Sequence, residues 1–174
     1  MLKGSDPVIR SAREDEAGEI TTLVNEAYAI EAFFKVDTDR TTRAEVADLF
    51  SQGTFLVADG PDGRLLGSVH VSVTESGGYF GMLSVAPATQ RSGLGRRLIA
   101  AAEELAVERG CSVMDLSVVN VRDGLLAWYE KAGYRASGTA AWPEGEMDTL
   151  KMPVHLITMT KTITPTRAAI DSRR

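Results

Sequence analysis

Apolar positions along the chain switch between a period of two and a period near 3.6, and each switch marks a boundary between predicted elements. Val8 to Ser11 reads as a short strand. Ser11-Ala12-Arg13-Glu14 then fits a capping box, and Ile20, Leu23, Val24 and Ala27 follow at i, i+3, i+4 and i+7 on one helical face. Thr42-Arg43-Ala44-Glu45 repeats the capping pattern ahead of Val46, Leu49 and Phe50, with Gly53 as the stop, so a second helix is predicted over about 42–52. Residues 29–40 between the helices are predicted as a loop carrying Glu31, Phe33, Phe34, Asp37 and Asp39.

Three strands come next, at Thr54–Asp59, Leu65–Thr74 and Tyr79–Val85. Gly60-Pro61-Asp62-Gly63 and Ser76-Gly77-Gly78 are turn signals between them and predict antiparallel hairpins. Val69, Val71 and Val73 share one strand face while Ser68, His70 and Ser72 share the other, which gives His70 a structural or solvated role. Leu94, Leu98, Ala101, Ala102 and Leu105 mark a long helix closed by Arg109-Gly110. Val113–Val119 reads as a buried strand, and Leu125, Leu126 and Tyr129 as a helix ending at Gly133. Tyr134–Ala140 and Val154–Lys161 are the last strands, flanking a loop with Glu144, Glu146 and Asp148. The expected fold class is α/β with a mixed sheet, in the order β-α-α-β-β-β-α-β-α-β-β. One domain is expected over residues 1–163, with 164–174 as a disordered tail.

Composition narrows the function. A chain of 174 residues, 44% hydrophobic and 25% charged, is long enough for a real core and has the balance of a soluble globular domain. No apolar run reaches the roughly 18 residues of a membrane span, and the N-terminus lacks the uninterrupted apolar segment of a signal peptide, so a cytoplasmic location is expected. The net charge of −5 argues against nucleic acid as a partner, because duplex binding rests on cations that neutralise phosphates. His70, His155 and the single Cys111 lie in separate segments, so no metal site is expected, and Cys111 reads as a buried inert thiol.

The segment LSVAPATQRSGLGRRLIAAAEEL, Leu83 to Leu105, carries the chemistry. A helix N-terminus offers unpaired backbone N–H groups and about half a positive charge. Gly93 and Gly95 remove the side chains that would block an approach, and Arg91 and Arg96 add charge, so a phosphate or diphosphate is predicted there. The plain alternative is a tight strand-to-helix turn with solvated arginines. A P-loop is disfavoured because the second glycine and its lysine are missing at the required offset, and a dinucleotide fingerprint because Leu98 stands where its third glycine belongs.

Gln90-Arg91-Ser92-Gly93-Leu94-Gly95 resembles the Q/R-x-x-G-x-G/A acyl-CoA motif of the GNAT superfamily of N-acetyltransferases. Leu126-Ala127-Trp128-Tyr129-Glu130-Lys131-Ala132-Gly133-Tyr134 resembles that family's second signature, and the resemblance spans about residues 7–162. It implies acetyl-CoA as acyl donor, transfer to a primary amine and no metal. It implies that the Leu83-Ser84-Val85 backbone pairs with the pantetheine arm beside a bulge, with the Val85 N–H aimed at the thioester carbonyl. The amides of Arg91 to Arg96, with Gln90, would hold the diphosphate, and Tyr129 would be the general acid, a plain core aromatic being the alternative.

Asn120 stands nine residues before Tyr129, where many relatives have an asparagine at seven, so it is either a cofactor contact or a structural cap. The predicted fourth strand has no carboxylate, which leaves the base open: a water relay past Tyr79 or Ser84 is one reading, and Glu31 gripping an ammonium is another. Glu31, Phe34 and Tyr79 are the candidate acceptor contacts. Phe33, Phe34 and Trp142 among carboxylates favour a small cationic or amphipathic amine. Protein N-termini or lysines as acceptors, and a non-catalytic acyl-CoA-binding module, are the alternatives. A homodimer is compatible with the resemblance.

Overall fold

The computed structural model describes residues 6–36 and 39–165. The predicted loop residue Asp37 and the tail from residue 166 lie outside the described residues.

Strands β1 (Val8–Ser11), β2 (Thr54–Asp59), β3 (Leu65–Thr74), β4 (Gly77–Val85), β5 (Val113–Val119), β6 (Arg135–Ala141) and β7 (His155–Thr162) form one sheet in the order β1-β2-β3-β4-β5-β7-β6. Every pairing is antiparallel except that of β4 with β5. Helices α1 (Ala17–Tyr28) and α2 (Arg43–Phe50) follow β1, α3 (Leu94–Glu108) follows β4, and α4 (Asp123–Lys131) follows β5. The order is the one read from the sequence.

Alternation along the strands builds two cores. Phe55 and Val57 of β2 join Ala17, Ile20, Leu23 and Val24 of α1 and Val46 of α2 on one face. Leu56 and Ala58, one residue out of phase, join Val69, Phe80 and Met114 against Leu94, Leu98, Ala102 and Tyr129 on the other. The α1–α2 helices therefore cover the polar stripe of β3. His70 is buried there, with Nε2 2.9 Å from the Leu49 carbonyl, and burial pulls its pKa down, which is the structural role. Cys111 is a free, half-buried thiol packed against the second core.

Two local expectations shift. The Thr42–Glu45 capping box forms, the Thr42 hydroxyl accepting from Glu45 N–H and the Glu45 carboxylate from Thr42 N–H. Ser11, by contrast, is used up in β1 pairing with Leu56, so the first helical turn starts two residues later, where the Glu16 carboxylate accepts from Arg13 N–H at 2.8 Å. Ser76-Gly77-Gly78 is not all turn, because Thr74 already pairs with Gly77. The glycines serve a close approach instead: a Cβ on Gly77 would lie 2.5 Å from Val113, and one on Gly78 3.0 Å from both Ala106 and Met114.

Candidate active site

The β4–β5 pairing is short. The two strands meet at Gly78 with Met114 and Tyr79 with Asp115, and no further rung forms towards the C-terminal end of β4. At that point β4 bulges. Ser68 faces Ser84 while His70 faces Gly81, so β4 carries an extra residue, and Met82 takes a positive φ of 51° to accommodate it. The bulge bends β4 away from β5 and opens a cleft of about 350 Å³ between β4, the start of α3 and α4. Ala86 N–H donates to the Leu66 carbonyl on the β3 side. By the two-residue period, the Val85 backbone points the opposite way, into the opening.

The start of α3 is a cradle of backbone donors. Arg91 and Gly93 both take positive φ, 66° and 85°, and the alternation turns successive amides to one side, the geometry of an anion-binding nest. The N–H groups of Arg91, Gly93, Gly95 and Arg96 find no acceptor among the described residues. A Cβ on Gly93 would meet nothing within 4 Å, so the space above it is open. These donors fit the diphosphate of a CoA thioester. Arg96 lies over the Trp128 ring at 5.4 Å, and Trp128 packs on Gly95, which closes the cradle from the α4 side.

Tyr129 lines this cleft, 6% exposed, with ring centroids of Trp128 at 5.1 Å, Phe80 at 6.0 Å and Tyr134 at 6.1 Å. Burial first, then the neighbouring Tyr28 and Tyr79, raises its pKa, so it stays protonated at neutral pH. Its hydroxyl takes no hydrogen bond among the described residues. A buried tyrosine normally has one, so the group is free to act on something bound.

Of the residues singled out in the sequence, Leu83, Val85, Gln90, Arg91, Gly93, Leu94, Gly95, Arg96 and Tyr129 line one cleft. The Ser84 and Ser92 side chains bond locally: buried Ser84 Oγ donates to the Met82 carbonyl and exposed Ser92 Oγ accepts from Leu94 N–H. Asn120 is set apart by its bonding. Its side-chain carbonyl accepts from His155 N–H at 2.9 Å, and its own N–H donates to the His155 carbonyl, which extends the β5–β7 ladder instead of facing the cleft.

The acceptor side departs further from expectation. Phe34 is fully buried between Phe33 and Trp142, at 5.1 and 5.9 Å, so it supports a wall and offers no surface to a substrate. Tyr79 lies along Gly81 and within electrostatic reach of Tyr28 and Tyr129. Glu31 is 8% exposed, and the cation beside it is Arg122, Nη1 to Oε1 3.6 Å. Residues 29–33 form a 3₁₀ turn, and residues 34–36 are knitted to the 144–151 segment, with Lys35 bridging Leu150 and Val36 N–H donating to the Thr149 carbonyl. Sequence reasoning missed Tyr28 and Arg122, which both line the cleft. Arg122 sits seven residues before Tyr129, at the spacing where the family motif has its asparagine, and that offset was the available signal.

Among the described residues no group of three His, Cys, Asp or Glu side chains could hold a metal, and no helix is long and apolar enough to cross a membrane. The chain is 30% identical over 132 residues to a mycothiol acetyltransferase from Clavibacter sepedonicus, covering 73% of this chain and 42% of that protein's length. Its fold matches the ribosomal-protein-S18-alanine N-acetyltransferase from Escherichia coli, with a TM-score of 0.73, 18% identity and coverage of 92% and 96% of the two chains. It also matches the yncA structure from Salmonella typhimurium with its cofactor acetyl-CoA, with a TM-score of 0.71, 17% identity and coverage of 93% and 96%. The family model for GNAT acetyltransferases matches residues 19–134, the stretch that holds the bulge, the amide cradle and Tyr129, and the chain belongs to the GNAT acetyltransferase family.

Proposed function

We propose that the protein transfers the acetyl group of acetyl-CoA to the primary amine of a small amphipathic acceptor. The observation that carries this reading is Tyr129, a buried side chain whose hydroxyl makes no hydrogen bond among the described residues, in the same cleft as the unpaired amides of α3.

The amine nitrogen attacks the thioester carbonyl as a neutral base, forming the N–C bond, and the C–S bond then breaks. Negative charge gathers first on the carbonyl oxygen, where the Val85 N–H is the available donor. It then passes to sulfur, which Tyr129 meets with its hydroxyl proton. A thiol of pKa near ~8.5 is more acidic than a tyrosine, so the hydroxyl acts chiefly as a hydrogen-bond donor while the bond breaks. Burial disfavours the free thiolate and the free tyrosinate alike, so the hydroxyl proton moves to sulfur only as another proton replaces it on Tyr129. The proton lost by the new amide nitrogen leaves through solvent and an equivalent proton restores Tyr129, so the products are amide and free CoA thiol.

The test is CoA-thiol release from acetyl-CoA across small amines, amino acids, polyamines and short peptides. Turnover confined to small amines, with kcat reduced by about 10²–10⁴ in Tyr129→Phe and acetyl-CoA binding retained, is the expected result. Full turnover in Tyr129→Phe removes the acid assignment. Turnover confined to peptides replaces the metabolite with a protein acceptor, and acetyl-CoA binding without any turnover leaves a binding module.

A further inference from the structure

One of the residues lining the cleft, Arg122, belongs to an ion pair that is only half closed. Arg122 stands at the entry to α4 and lines the cleft, while Glu31 comes from the 3₁₀ turn after α1. Their closest approach is 3.6 Å, against about 2.7–2.9 Å for a charge-assisted hydrogen bond. Neither side chain makes a hydrogen bond among the described residues. A guanidinium has five N–H donors in a planar fork and does not give up its charge, so a cation whose side chain is only 21% exposed keeps most of its bonding capacity unused here.

The charges around this pair define what would fill it. Arg40 also acts on Glu31 while lying over the Tyr28 ring, and Lys35 is matched with Glu146 at 3.4 Å. Glu31 thus has Arg122, Arg40 and Lys35 acting on it, and Lys35 is itself matched with Glu146. A bare ammonium gains little in such a place, whereas an anionic group on the acceptor would find a ready-made fork. Burial weakens Glu31 as an anion, raising its pKa, and so leaves Arg122 the less satisfied partner. The diphosphate already has its own cradle on α3, with Arg91 and Arg96, whereas Arg122 is tied to the acceptor-side turn.

We propose that Arg122 receives a carboxylate carried by the acceptor and that Glu31 is the positioning residue behind it, so the acceptor is an apolar amino acid or a close analogue. A bidentate carboxylate fixes the neighbouring carbon, and with it the amine, at a set reach from the thioester and Tyr129. Ile30 and Phe33 of the same turn are exposed apolar side chains. The inference rests on the small-amine reading above.

The test compares leucine, leucine methyl ester and isopentylamine, which share an apolar chain and an amine and differ at the carboxylate. The quantity read is kcat/KM, corrected for the fraction of neutral amine, in wild type, Arg122→Gln, Arg122→Lys and Glu31→Gln, with the acetyl-CoA KM measured in each. Wild type is expected to favour leucine by roughly 10–100-fold. Arg122→Gln should erase the preference with the acetyl-CoA KM unchanged, and Arg122→Lys, which keeps charge without the fork, should restore part of it. Glu31→Gln should raise the leucine KM more than it lowers kcat. Preference for the ester or isopentylamine in wild type overturns the proposal, as does an Arg122→Gln variant whose defect lies in the acetyl-CoA KM. Calorimetric titration of leucine and its ester into the CoA-bound protein separates this inference from the parent reading. Leucine binding that needs Arg122, without acetyl transfer, sinks the enzyme assignment alone, and no discrimination between leucine and ester sinks the carboxylate receptor.

Discussion

Glu16 and Glu31 are buried to nearly the same degree, 7% and 8% exposed, and the protein treats them in opposite ways. Glu16, at the β1–α1 corner, receives Arg10 at 2.7 and 2.9 Å and Arg13 N–H at 2.8 Å, while the same guanidinium also holds Asp59 at 2.7 and 2.8 Å. Its pKa is driven down to about 2, first by the Arg10 hydrogen bonds. Glu31 has one loose ion pair, and burial drives its pKa up. The first corner is finished and serves the fold. The second is left open, as are the amides of α3, and unfilled bonding capacity in a cleft marks where a ligand is expected.

The contrast is easiest to break by truncating each carboxylate. Glu16→Ala strands Arg10 on a single partner and should cost about 2–3 kcal/mol, lowering the thermal midpoint by roughly 5–10 °C. A smaller loss than Glu31→Ala would reverse the two roles. Gly93→Ala places a side chain at a φ of 85° and costs about 1–2 kcal/mol; it should also raise the acetyl-CoA KM by about tenfold by capping the open cradle, a shift that steady-state kinetics reads directly.

Acid titration sharpens the same comparison. Because the folded pKa of Glu16 is depressed, its contribution is complete above the unfolded value near 4.5 and is lost as pH falls towards 2. Glu31 has the opposite sign: its raised folded pKa makes it cost stability as pH rises through that value. Denaturant midpoints from pH 2 to 7 should therefore flatten at the acid end in Glu16→Gln and not in Glu31→Gln. Last and smallest, Glu31→Gln at neutral pH should leave stability within about 0.5 kcal/mol of wild type, or above it, while acceptor kinetics change. A large loss of stability there would recast Glu31 as scaffold.

The donor side was legible in the sequence because it is local. Gly93, Gly95 and the arginines lie within one turn of the helix they open, and Tyr129 lies within a second contiguous motif. The other strands and the helices could be placed because each turns a face inward with a regular period, whereas β6 is exposed along its whole length. The bulge left no such trace, since Met82 takes its positive φ only through the register shift against β3. The acceptor side was not legible for a related reason. Glu31 reads as a free carboxylate until the fold brings Arg122 to it, and Phe34 reads as a contact until Trp142 covers it. Counting carboxylates in the loops favoured a small cationic or amphipathic amine, and the fold sets two of those carboxylates, Glu31 and Glu146, beside Arg122 and Lys35.

The knitting of the two outer segments extends beyond one chain's chemistry. Lys35 bridges Leu150, Lys151 N–H donates to the Phe34 carbonyl, and Lys151 Nζ reaches the Ala32 carbonyl at 2.6 Å, so pieces from opposite ends of the sequence form a single rim. Grafting either piece alone onto a sister protein would leave its counterpart mismatched. New substrate preferences would then arise by trading both together, and drift in one would select for compensating change in the other.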